Sequence, residues 1–556
     1  MDDGNMNILG LTHPISWNTA ACIISDGELI AFTEEERFTR DKHAKHSFPK
    51  NAIWFCLDKS GLRAEDIDLV AVGFQNKNYC GNDPAGNIHT EPYHEKTKEG
   101  LASLNITADV KLYNHHVSHV ASAFMCSGFR SSNCYSLDGA GDDSVGWLGH
   151  SEGFFSDLYS ITNASENTPF PSTVIGCGSS WGTLYEDVTD ILGFRRHSGE
   201  GKTMGLAAYG NLDEDLLPLF SKGETGCPDN VAYKKFFNKR GWTLSMDYYG
   251  KKEPKASVDP LSGEGKNLAH TLQSYYNDFL IRTAKKSLKE TGCPNFCLAG
   301  GVALNCTANG SLASQDFVDN IFIQPASHDA GTALGAALLA YWEKYGKFAK
   351  ARFPHAYWGK EYTQDEIRLA LINNRLSFKE VDPSVSAAEL LSDNKIVCFF
   401  QGRAEVGPRA LGNRSILANP IESENLHKIN KLKGREPWRP LAPSILEDDY
   451  HEVVECKHHS PFMLMATQVK EEYKEKIPAV VHVDGSCRPQ TVYKQTNPIF
   501  YETILEFKKR TGIPVVLNTS FNLWHEPIVN SPMDAIKTWK ESGADALIMG
   551  NFLVEK

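Results

Sequence analysis

The sequence lacks the features that mark secreted, membrane-spanning and nucleic-acid-binding proteins. Its 13 cysteines include no Cys-x-x-Cys pair and, being odd in number, cannot all pair within one chain, so we interpret them as reduced thiols. No uninterrupted apolar run approaches the roughly 18 residues that a membrane-spanning helix needs. The formal net charge of -12 argues against nucleic-acid binding, which depends on Lys and Arg. We therefore expect a cytoplasmic protein that binds neither nucleic acid nor membranes.

Length and composition predict two domains. At 556 residues, 41% of them hydrophobic, the chain is longer than one hydrophobic core normally serves. After Lys350, a stretch rich in Pro, Gly and polar residues precedes a new amphipathic pattern, which is typical of a domain boundary. We place the two domains at residues 1–355 and 356–556.

The first domain has the pattern of a duplicated α/β unit. "MNILGLTH" and "TAACIISDGELIAFTEEER" predict a strand and then a hairpin, and "NCYSLDGAGDDSVGWLGHSEG" repeats this arrangement about 125 residues later. Such duplicated folds occur in actin-like ATPases and sugar kinases, where a nucleotide binds between the halves. "SGEGKTMGLAAYG" and "CLAGGVALN" would let backbone approach a ribose or phosphate, although the Gly pair of the second is also typical of a tight turn.

Two histidines stand four residues apart in "YNHHVSHVASAF", a pattern that otherwise predicts a buried helix. This spacing puts His115 and His119 on one helix face, as a metal site requires, but a core helix that carries histidines has the same pattern. Asp329 opens a long Ala/Leu helix, where its carboxylate is either a helix cap or a ligand. The spacing leaves these alternatives open.

Positive charge gathers in one segment of the second domain. Between Lys395 and Arg439 there are nine basic and four acidic residues, a net charge of +5. "GPRALGNRSI" and "KGREPWRPLAPS" set their arginines among Gly, Pro and apolar residues, where a guanidinium is costly to shelter without an anionic partner. We favour a phosphate pocket over a structural ion-pair network. Further on, "VLNTSFN" ends a strand in side chains suited to hold oxygens, Ser520 and Asn522.

Nine motifs together resemble the O-carbamoyltransferase family, which includes the tobramycin, novobiocin and cephamycin carbamoyltransferases and the nodulation-factor enzyme. In chain order they are "EEERFTRDKH", "HHVSHVASAF", "SLDGAGD", "EGKTMGLAAYG", "GGVALN", "HDAGTALGAAL", "GPRALGNRSILA", "KGREPWRPLAPSI" and "NTSFN". The resemblance implies that carbamoyl phosphate and ATP form carbamoyl adenylate and pyrophosphate in the C-terminal domain. The N-terminal domain would then transfer the carbamoyl group to a hydroxyl of a small-molecule acceptor, a natural product or sugar.

The resemblance implies an α/β C-terminal domain like threonylcarbamoyl-adenylate synthase and an N-terminal domain like the metal-containing transferase of tRNA threonylcarbamoylation. The synthase signature Lys-x-Arg followed by Ser-x-Asn is matched here. The residues implied to bind carbamoyl phosphate or ATP are Arg409, Lys433, Arg435, Arg439, Arg488, Asn518, Ser520 and Asn522. Mg²⁺ is expected with the ATP.

In the N-terminal domain the resemblance implies a metal centre beside the adenylate. The family's metal ligands fall on His115, His119, Asp138 and Asp329. This ligand set suits Fe²⁺, Mn²⁺ or Zn²⁺, and the family points to iron. The residues implied to hold the adenylate are Gly139, Glu186, Gly300, Gly301 and Asn305. Lys42, in "FTRDKH", is implied to neutralise the adenylate phosphate or the developing oxyanion in this domain.

One position departs from the family pattern. The family has a histidine after the first strand, the expected general base for the acceptor hydroxyl, where this sequence has Trp17. His13, four residues earlier, is the nearest replacement, and the ordinary pKa range of a histidine suits a base. The alternative is that His13 is an ordinary loop histidine.

Two other functions stay open at this point. A tRNA threonylcarbamoyl transferase would share both folds, but the acidic balance and the lack of a basic tail disfavour RNA. A nucleotide-binding regulatory protein that has lost its chemistry would explain Trp17 but not the retained metal positions and phosphate cluster. The expected partners are therefore ATP, carbamoyl phosphate and a hydroxyl acceptor, and a homodimer is left open. Residues 75–105 and 211–265 are candidates for acceptor recognition.

Overall fold

The computed structural model describes residues 6–13, 17–45, 47–75, 78–82, 88–142, 144–152, 181–220, 230–245 and 254–556, so parts of the two candidate acceptor segments lie outside it. The chain divides into two compact units. Unit 1 comprises Met1–Ala31 and Lys45–Arg352, and unit 2 comprises Phe32–Ala44 and Phe353–Lys556. The change at Arg352 is close to the expected boundary at residue 355. That Phe32–Ala44 belongs to unit 2 was not predicted.

The first half of unit 1 is built on a five-stranded sheet. The elements from the N-terminus are β1 (Asn7–Leu11), β2 (Ala20–Ser25), β3 (Glu28–Glu34), α1 (Glu36–Thr39), α2 (Lys50–Ser60), β4 (Leu69–Val72), β5 (Asn78–Asn82), β6 (Ile88–Pro92), α3 (Tyr93–Ala102), β7 (Asp109–Leu112) and α4 (His115–Ser127). Of these, α1 and the last three residues of β3 lie in the segment Phe32–Ala44 that belongs to unit 2. The sheet order is β3-β2-β1-β4-β7, with β1 antiparallel to β2 and parallel to β4. Asp26 and Gly27 both have positive φ (54° and 77°) in the β2–β3 turn, as a two-residue hairpin turn requires.

The second half repeats this topology. Its elements are β8 (Ser131–Gly141), β9 (Ser144–Glu152), α5 (Trp181–Ile191), α6 (Glu200–Leu206), α7 (Asn230–Arg240), α8 (Gly263–Thr291), β10 (Asn295–Ala299), α9 (Cys306–Ala313), β11 (Asn320–Ile323) and α10 (Ala330–Tyr345). The sheet order is β11-β10-β8-β9, and β8, like β1, is antiparallel to its hairpin partner and parallel to the strand on its other side. The predicted duplication is therefore confirmed. Within the Gly-rich segment 198–210, the chain forms α6 and then a short 3₁₀ turn, Ala207–Tyr209.

Two helices lie between the two sheets of unit 1. Helix α10 packs on β1, β2 and β4, α4 packs on β8, β10 and β11, and the two helices pack on each other. Small residues permit this close approach: a Cβ on Gly335 would lie 1.8 Å from the backbone oxygen of Ser118, and a Cβ on Gly10 would lie 2.2 Å from that of Ala333. The first residues of α4 and α10 thus belong to the core of unit 1.

Unit 2 is built on an eight-stranded mixed sheet. Its elements are α11 (Gln364–Asn373), β12 (Lys379–Glu380), α12 (Pro383–Ser392), β13 (Val397–Phe400), β14 (Arg414–Ala418), α13 (Glu424–Leu432), β15 (Ala442–Leu446), α14 (Tyr450–Val453), β16 (Thr467–Gln468), α15 (Glu471–Lys474), β17 (Ser486–Cys487), β18 (Gln490–Val492), α16 (Pro498–Thr511), β19 (Val515–Ser520), α17 (Pro532–Ser542), β20 (Ala546–Met549) and β21 (Phe552–Glu555). The sheet order is β12-β21-β20-β13-β14-β19-β15-β18.

Alternating side chains of this sheet enter two hydrophobic clusters. Cys398 and Phe400 of β13 belong to one cluster, and Val397 and Phe399 to the other, as the two-residue period of a strand requires. The predicted α/β class is therefore confirmed in both units. The cysteines whose burial the structure describes are buried free thiols. No helix among the described residues is long and apolar enough to cross a membrane.

Candidate functional site

The first part of the site lies at the start of α4. The side chain of Asn114 accepts a hydrogen bond from Val117 N at 3.1 Å and so caps the helix. His115 and His119 follow one turn apart and are both buried, so their rings lie on one face of the helix. His116 lies beside them, with its Nδ1 3.0 Å from Ser136 Oγ.

Two carboxylates complete this group. Asp138 comes from β8 and Asp329 immediately precedes α10, and one ligand atom from each of the four predicted residues lies within 4.8 Å of the others. Asp138 Oδ2 is 3.2 Å from the Nε2 of both histidines. The Asp329 side chain forms no cap hydrogen bond on α10, and its Oδ1 lies 3.9 Å from His115 Nε2. Asp329 therefore does not cap α10 with its side chain, and its role as a metal ligand stays a prediction.

The donor set fits a divalent transition-metal ion. The Nε2 atoms of His115 and His119 are 3.1 Å apart, and His115 Nδ1 is 3.3 Å from the oxygen of Gly73. Because a carbonyl only accepts, that Nδ1 donates, so Nε2, which faces Asp138, is the ring nitrogen that a metal ion would bind in place of a proton. Asp138 Oδ1 accepts from the amides of Gly139 (2.8 Å) and Gly301 (3.3 Å), which fixes the carboxylate with Oδ2 toward the imidazoles.

The pKa values of these groups reflect buried opposite charges. For His115, burial lowers the pKa, but the hydrogen bond to Asp138 and the charge of Asp329 outweigh it and raise the pKa to about 9. Burial lowers the pKa of His119. Burial also opposes ionisation of Asp138, but the hydrogen bonds from both imidazoles hold its pKa well below the usual range. The carboxylate is thus ionised and available to a cation.

Four of the residues predicted to hold the adenylate have different structural surroundings. Gly139 and Gly301 lie beside Asp138. Gly300 has a φ of 85°, and a Cβ there would lie 2.2 Å from Leu137 O, so both conformation and space require glycine. Glu186 Oε1 is 3.0 Å from Nδ1 of His197.

His197 was not singled out from the sequence, although it stands just before the motif "EGKTMGLAAYG". Its ring centroid lies 4.0 Å from that of Trp17, the residue at the expected general-base position. Lys45 Nζ lies 3.7 Å from the Trp17 ring. The alternative base, His13, is only 6% exposed, and its ring lies 4.5 Å from that of Phe74.

The second part of the site lies in unit 2, where Lys433 follows α13. Its ammonium donates to the backbone oxygen and to Oγ (3.2 Å) of Ser520, and to O (2.9 Å) and Oδ1 (3.0 Å) of Asn522. Burial lowers the pKa of Lys433 well below its usual range, and the charges of Arg435 and Arg439 lower it further. The structure thus brings Lys-x-Arg and Ser-x-Asn of the sequence together.

Further basic side chains surround Arg435. Burial holds the pKa of Arg435 well below its usual range, and three guanidinium groups lower it further: Arg439, Arg488 and Arg409. The charge of Glu436 acts in the opposite direction and raises the pKa of Arg435. Glu436 also lies 3.7 Å from Arg439. Arg488 Nε is buried without a hydrogen-bond partner among the described residues. Mutual repulsion in a partly buried group of cations is the property expected of an anion site.

Lys42 belongs to this second part. It lies in the segment Phe32–Ala44 of unit 2. Burial lowers its pKa, the charge of Glu36 raises it, and the charges of Arg435 and Arg439 lower it again. Lys42 therefore lies in unit 2 and not, as expected, in the N-terminal unit, because tertiary packing assigns a short segment of the N-terminal half of the chain to unit 2. Its role in carbamoyl transfer stays a prediction.

Other basic residues of the positive segment support the fold instead. Arg414 is fully buried over the ring of Phe400, 3.7 Å away, and donates to the backbone oxygen of Gln401. Arg403 donates to the backbone oxygen of Trp358 at 2.6 Å. For these two arginines, backbone carbonyls take the place of the anionic partner that the sequence suggested.

Two of the polar residues predicted to bind ligands, Asn305 and Asn518, form hydrogen bonds to other protein groups. Asn305 caps α9 by accepting from Ala308 N at 3.0 Å, and it exchanges two amide hydrogen bonds with Gln273. Asn518, on β19, donates to Ser444 Oγ at 3.0 Å. These hydrogen bonds account for their burial, and ligand binding by either residue stays a prediction.

Comparison with known proteins gives a consistent result. The model of the carbamoyltransferase N-terminus matches residues 7–105 and 85–338, and that of the carbamoyltransferase C-terminus matches residues 388–556. Nodulation protein NolNO of Sinorhizobium fredii is 35% identical, over 99% of this chain and 80% of that protein. Nodulation protein NolO of Bradyrhizobium diazoefficiens is 37% identical, over 80% of this chain and 79% of that protein.

Solved structures match more distantly. T. kodakarensis HypF aligns over 62% of this chain and 50% of that chain with a TM-score of 0.37 and 14% identity, which is too low to carry an argument. The two family models, by contrast, together match most of the chain. The protein belongs to the carbamoyltransferase family.

Proposed function

We propose that this carbamoyltransferase makes carbamoyl adenylate from carbamoyl phosphate and ATP in unit 2 and transfers the carbamoyl group in unit 1. In the first reaction, one water is consumed, carbamoyl phosphate releases inorganic phosphate, and ATP releases pyrophosphate. In the second, the oxygen of an acceptor hydroxyl bonds to the carbamoyl carbon, and AMP leaves. The acceptor is a small molecule.

The group of crowded cations in unit 2, of which Lys433 is buried and the others are partly buried, carries this proposal. Carbamoyl phosphate and ATP are both polyanions, so their encounter requires positive charge that offsets their repulsion. Six basic side chains supply it: Lys42, Arg409, Lys433, Arg435, Arg439 and Arg488. Several of these cations lower the pKa values of others, which shows that they repel one another. Bound phosphate groups would offset this electrostatic repulsion.

Each residue has a distinct role in this scheme. Arg435 and Arg439 offer planar guanidinium groups, which pair with two phosphoryl oxygens at once. Lys433 is fixed by Ser520 and Asn522, so its charge is held in place before substrates arrive. Mg²⁺ would accompany the ATP.

In unit 1, a divalent transition-metal ion would be held by His115, His119, Asp138 and Asp329. Such an ion acts as a Lewis acid toward a phosphate oxygen and so makes AMP a better leaving group. Iron is the metal that the family resemblance implies. Gly139 and Gly301 keep the Asp138 carboxylate oriented, and we assign them to the adenylate side of the centre.

Pyrophosphate release from ATP tests the proposal. We expect the purified protein to release pyrophosphate and inorganic phosphate in equal amounts when carbamoyl phosphate is present. Release that instead requires threonine and bicarbonate would assign the chain to threonylcarbamoyl chemistry. The absence of release with either substrate would indicate a binding protein without this chemistry.

A further inference from the structure

A histidine and a carboxylate of unit 1 form a pair next to the candidate metal centre. Glu186 Oε1 is 3.0 Å from His197 Nδ1, and Glu200 Oε1 accepts from the backbone N of His197 at 2.6 Å. The indole of Trp17 lies against the imidazole, with 4.0 Å between ring centroids. The ring of His197 is therefore held at its edge by a carboxylate and on one face by an indole.

The helix that carries Glu186 places this pair close to Asp138. A Cβ on Gly182 of α5 would lie 2.7 Å from the backbone oxygen of Asp138, and a Cβ on Gly139 would lie 3.5 Å from Glu186 Oε1. Gly139 directly follows Asp138 in β8. The Glu186 carboxylate of the pair thus lies beside Gly139, the residue that follows the candidate metal ligand Asp138.

The residue before His197 is fixed by buried polar contacts. Arg196 is buried and forms an ion pair with Asp187 of α5, and Tyr233 OH donates to the other carboxylate oxygen of Asp187 at 3.0 Å. His197 itself has a φ of 60°, an uncommon conformation for a non-glycine residue that persists where surrounding contacts impose it. The position of its ring is therefore fixed by the fold.

We propose that His197, oriented by Glu186, is the general base that deprotonates the acceptor hydroxyl. This inference rests on the proposed carbamoyl transfer. Because Nδ1 donates to Glu186, the neutral ring carries its lone pair on Nε2, and 27% of the side chain is exposed. By contrast, His13 is buried, so an acceptor would reach it less easily.

The proton balance of the step is simple. Nε2 of His197 takes the hydroxyl proton while the acceptor oxygen bonds to the carbamoyl carbon. The bond between that carbon and the bridging phosphate oxygen breaks, and AMP leaves with the electron pair. The imidazolium that forms is stabilised by the Glu186 carboxylate and later gives its proton to water.

The charges around His197 set the direction of its pH dependence. Burial and the charge of Arg196 lower its pKa, but Glu186 and Glu200 outweigh them and raise it. Lys45 Nζ lies 3.7 Å from the centroid of the Trp17 ring, and that ring also contacts His197. The transfer rate would therefore rise with pH through a pKa above the ordinary histidine value.

The test compares two nucleophiles in the full-length protein supplied with ATP and carbamoyl phosphate. Methyl glucoside offers a hydroxyl that needs a base, whereas the amine of hydroxylamine attacks without one. In His197→Gln we expect carbamoylation of methyl glucoside to fall about 100-fold, within the range for loss of a general base. Hydroxyurea formation and pyrophosphate release would stay near the wild-type rate.

Two further variants distinguish a catalytic from a structural role. Glu186→Gln should move the rising limb of the pH–rate profile for methyl glucoside to lower pH, because the charge that raises the pKa of His197 is gone. His427→Gln, the control, changes an exposed histidine of α13 in unit 2 and should keep the wild-type profile. A loss below tenfold in His197→Gln, or an equal loss with hydroxylamine, overturns the inference. Wild-type protein without carbamoyl-phosphate-dependent pyrophosphate release overturns the proposed function itself.

Discussion

At the scale of single residues, the environment of a side chain decides its chemical role. Arg414 and Arg435 stand in the same basic segment, yet the guanidinium of Arg414 is bonded to backbone carbonyls, whereas that of Arg435 is crowded by other cations. Like charges that are held close together and partly shielded from water repel each other, which is costly. Only the second arrangement therefore leaves an energetic reason to bind an anion.

Glu200 provides a stability prediction at this scale. Burial and the charge of Glu186 raise its pKa to about 7 from an ordinary value of 4.5. The folded protein thus retains a proton that the unfolded chain releases, and the free energy of unfolding falls as pH rises through this interval, by about 3 kcal/mol. Glu200→Gln should remove this loss, since Gln cannot ionise and still accepts from His197 N.

Thermal melting of the wild type and of Glu200→Gln at about pH 5 and about pH 8 would measure this effect. The variant should melt higher than the wild type at the higher pH, and the difference should shrink at the lower pH. Glu99→Gln, a change on the exposed face of α3, should show no such trend. A difference that is independent of pH would contradict the raised pKa.

At the scale of elements, the α4–α10 pair determines the metal centre. Helix α4 carries both histidines and α10 follows Asp329, so the separation of these two helices sets the distance between imidazoles and carboxylate. Gly335 allows the separation, because a Cβ there would lie 1.8 Å from the backbone oxygen of Ser118. Backbone atoms cannot move aside as a flexible side chain does.

Gly335→Ala should therefore destabilise unit 1 by about 3 kcal/mol, at the upper end of overpacking costs, and should lower the metal content of the purified protein. Thermal melting and elemental analysis would measure the two effects. Gly263→Ala is the matched control, since no atom lies within 4 Å of its Cβ position at the start of α8. Wild-type metal content in Gly335→Ala would show that helix packing does not set the centre.

At the scale of the whole molecule, the two parts of the site predict two separable reactions. Asp138→Ala should keep carbamoyl-phosphate-dependent pyrophosphate release but lose carbamoyl transfer, because it removes a metal ligand of unit 1. Arg439→Ala should lose pyrophosphate release by about 100-fold, as expected when a charge-stabilising group is removed, while its metal content stays at the wild-type value.

The control for this pair is Lys428→Ala, which removes a half-exposed ammonium paired with Glu424 on α13 and should leave both reactions unchanged. Pyrophosphate assays, radiolabelled carbamoyl transfer and elemental analysis on the same preparations provide the readouts. If Asp138→Ala and Arg439→Ala lose pyrophosphate release equally, the assignment of one reaction to each unit is wrong.

The sequence by itself determined the α/β class, the duplicated strand-and-hairpin units and the family, because these depend on local patterns and on motif order. Through the family resemblance, it also identified the four residues whose ligand atoms the structure brings within 4.8 Å of one another, a set that the i,i+4 spacing of two histidines alone left open. The Lys-x-Arg and Ser-x-Asn positions were likewise readable as motifs.

Only the tertiary structure decided the matters that depend on distant neighbours. It assigned Lys42 to the cations of unit 2, gave Arg414 and Asn305 structural hydrogen bonds, and brought His197 onto Trp17. These contacts join residues far apart in the chain, and a side chain's charge, exposure and partners follow from packing that no local pattern encodes.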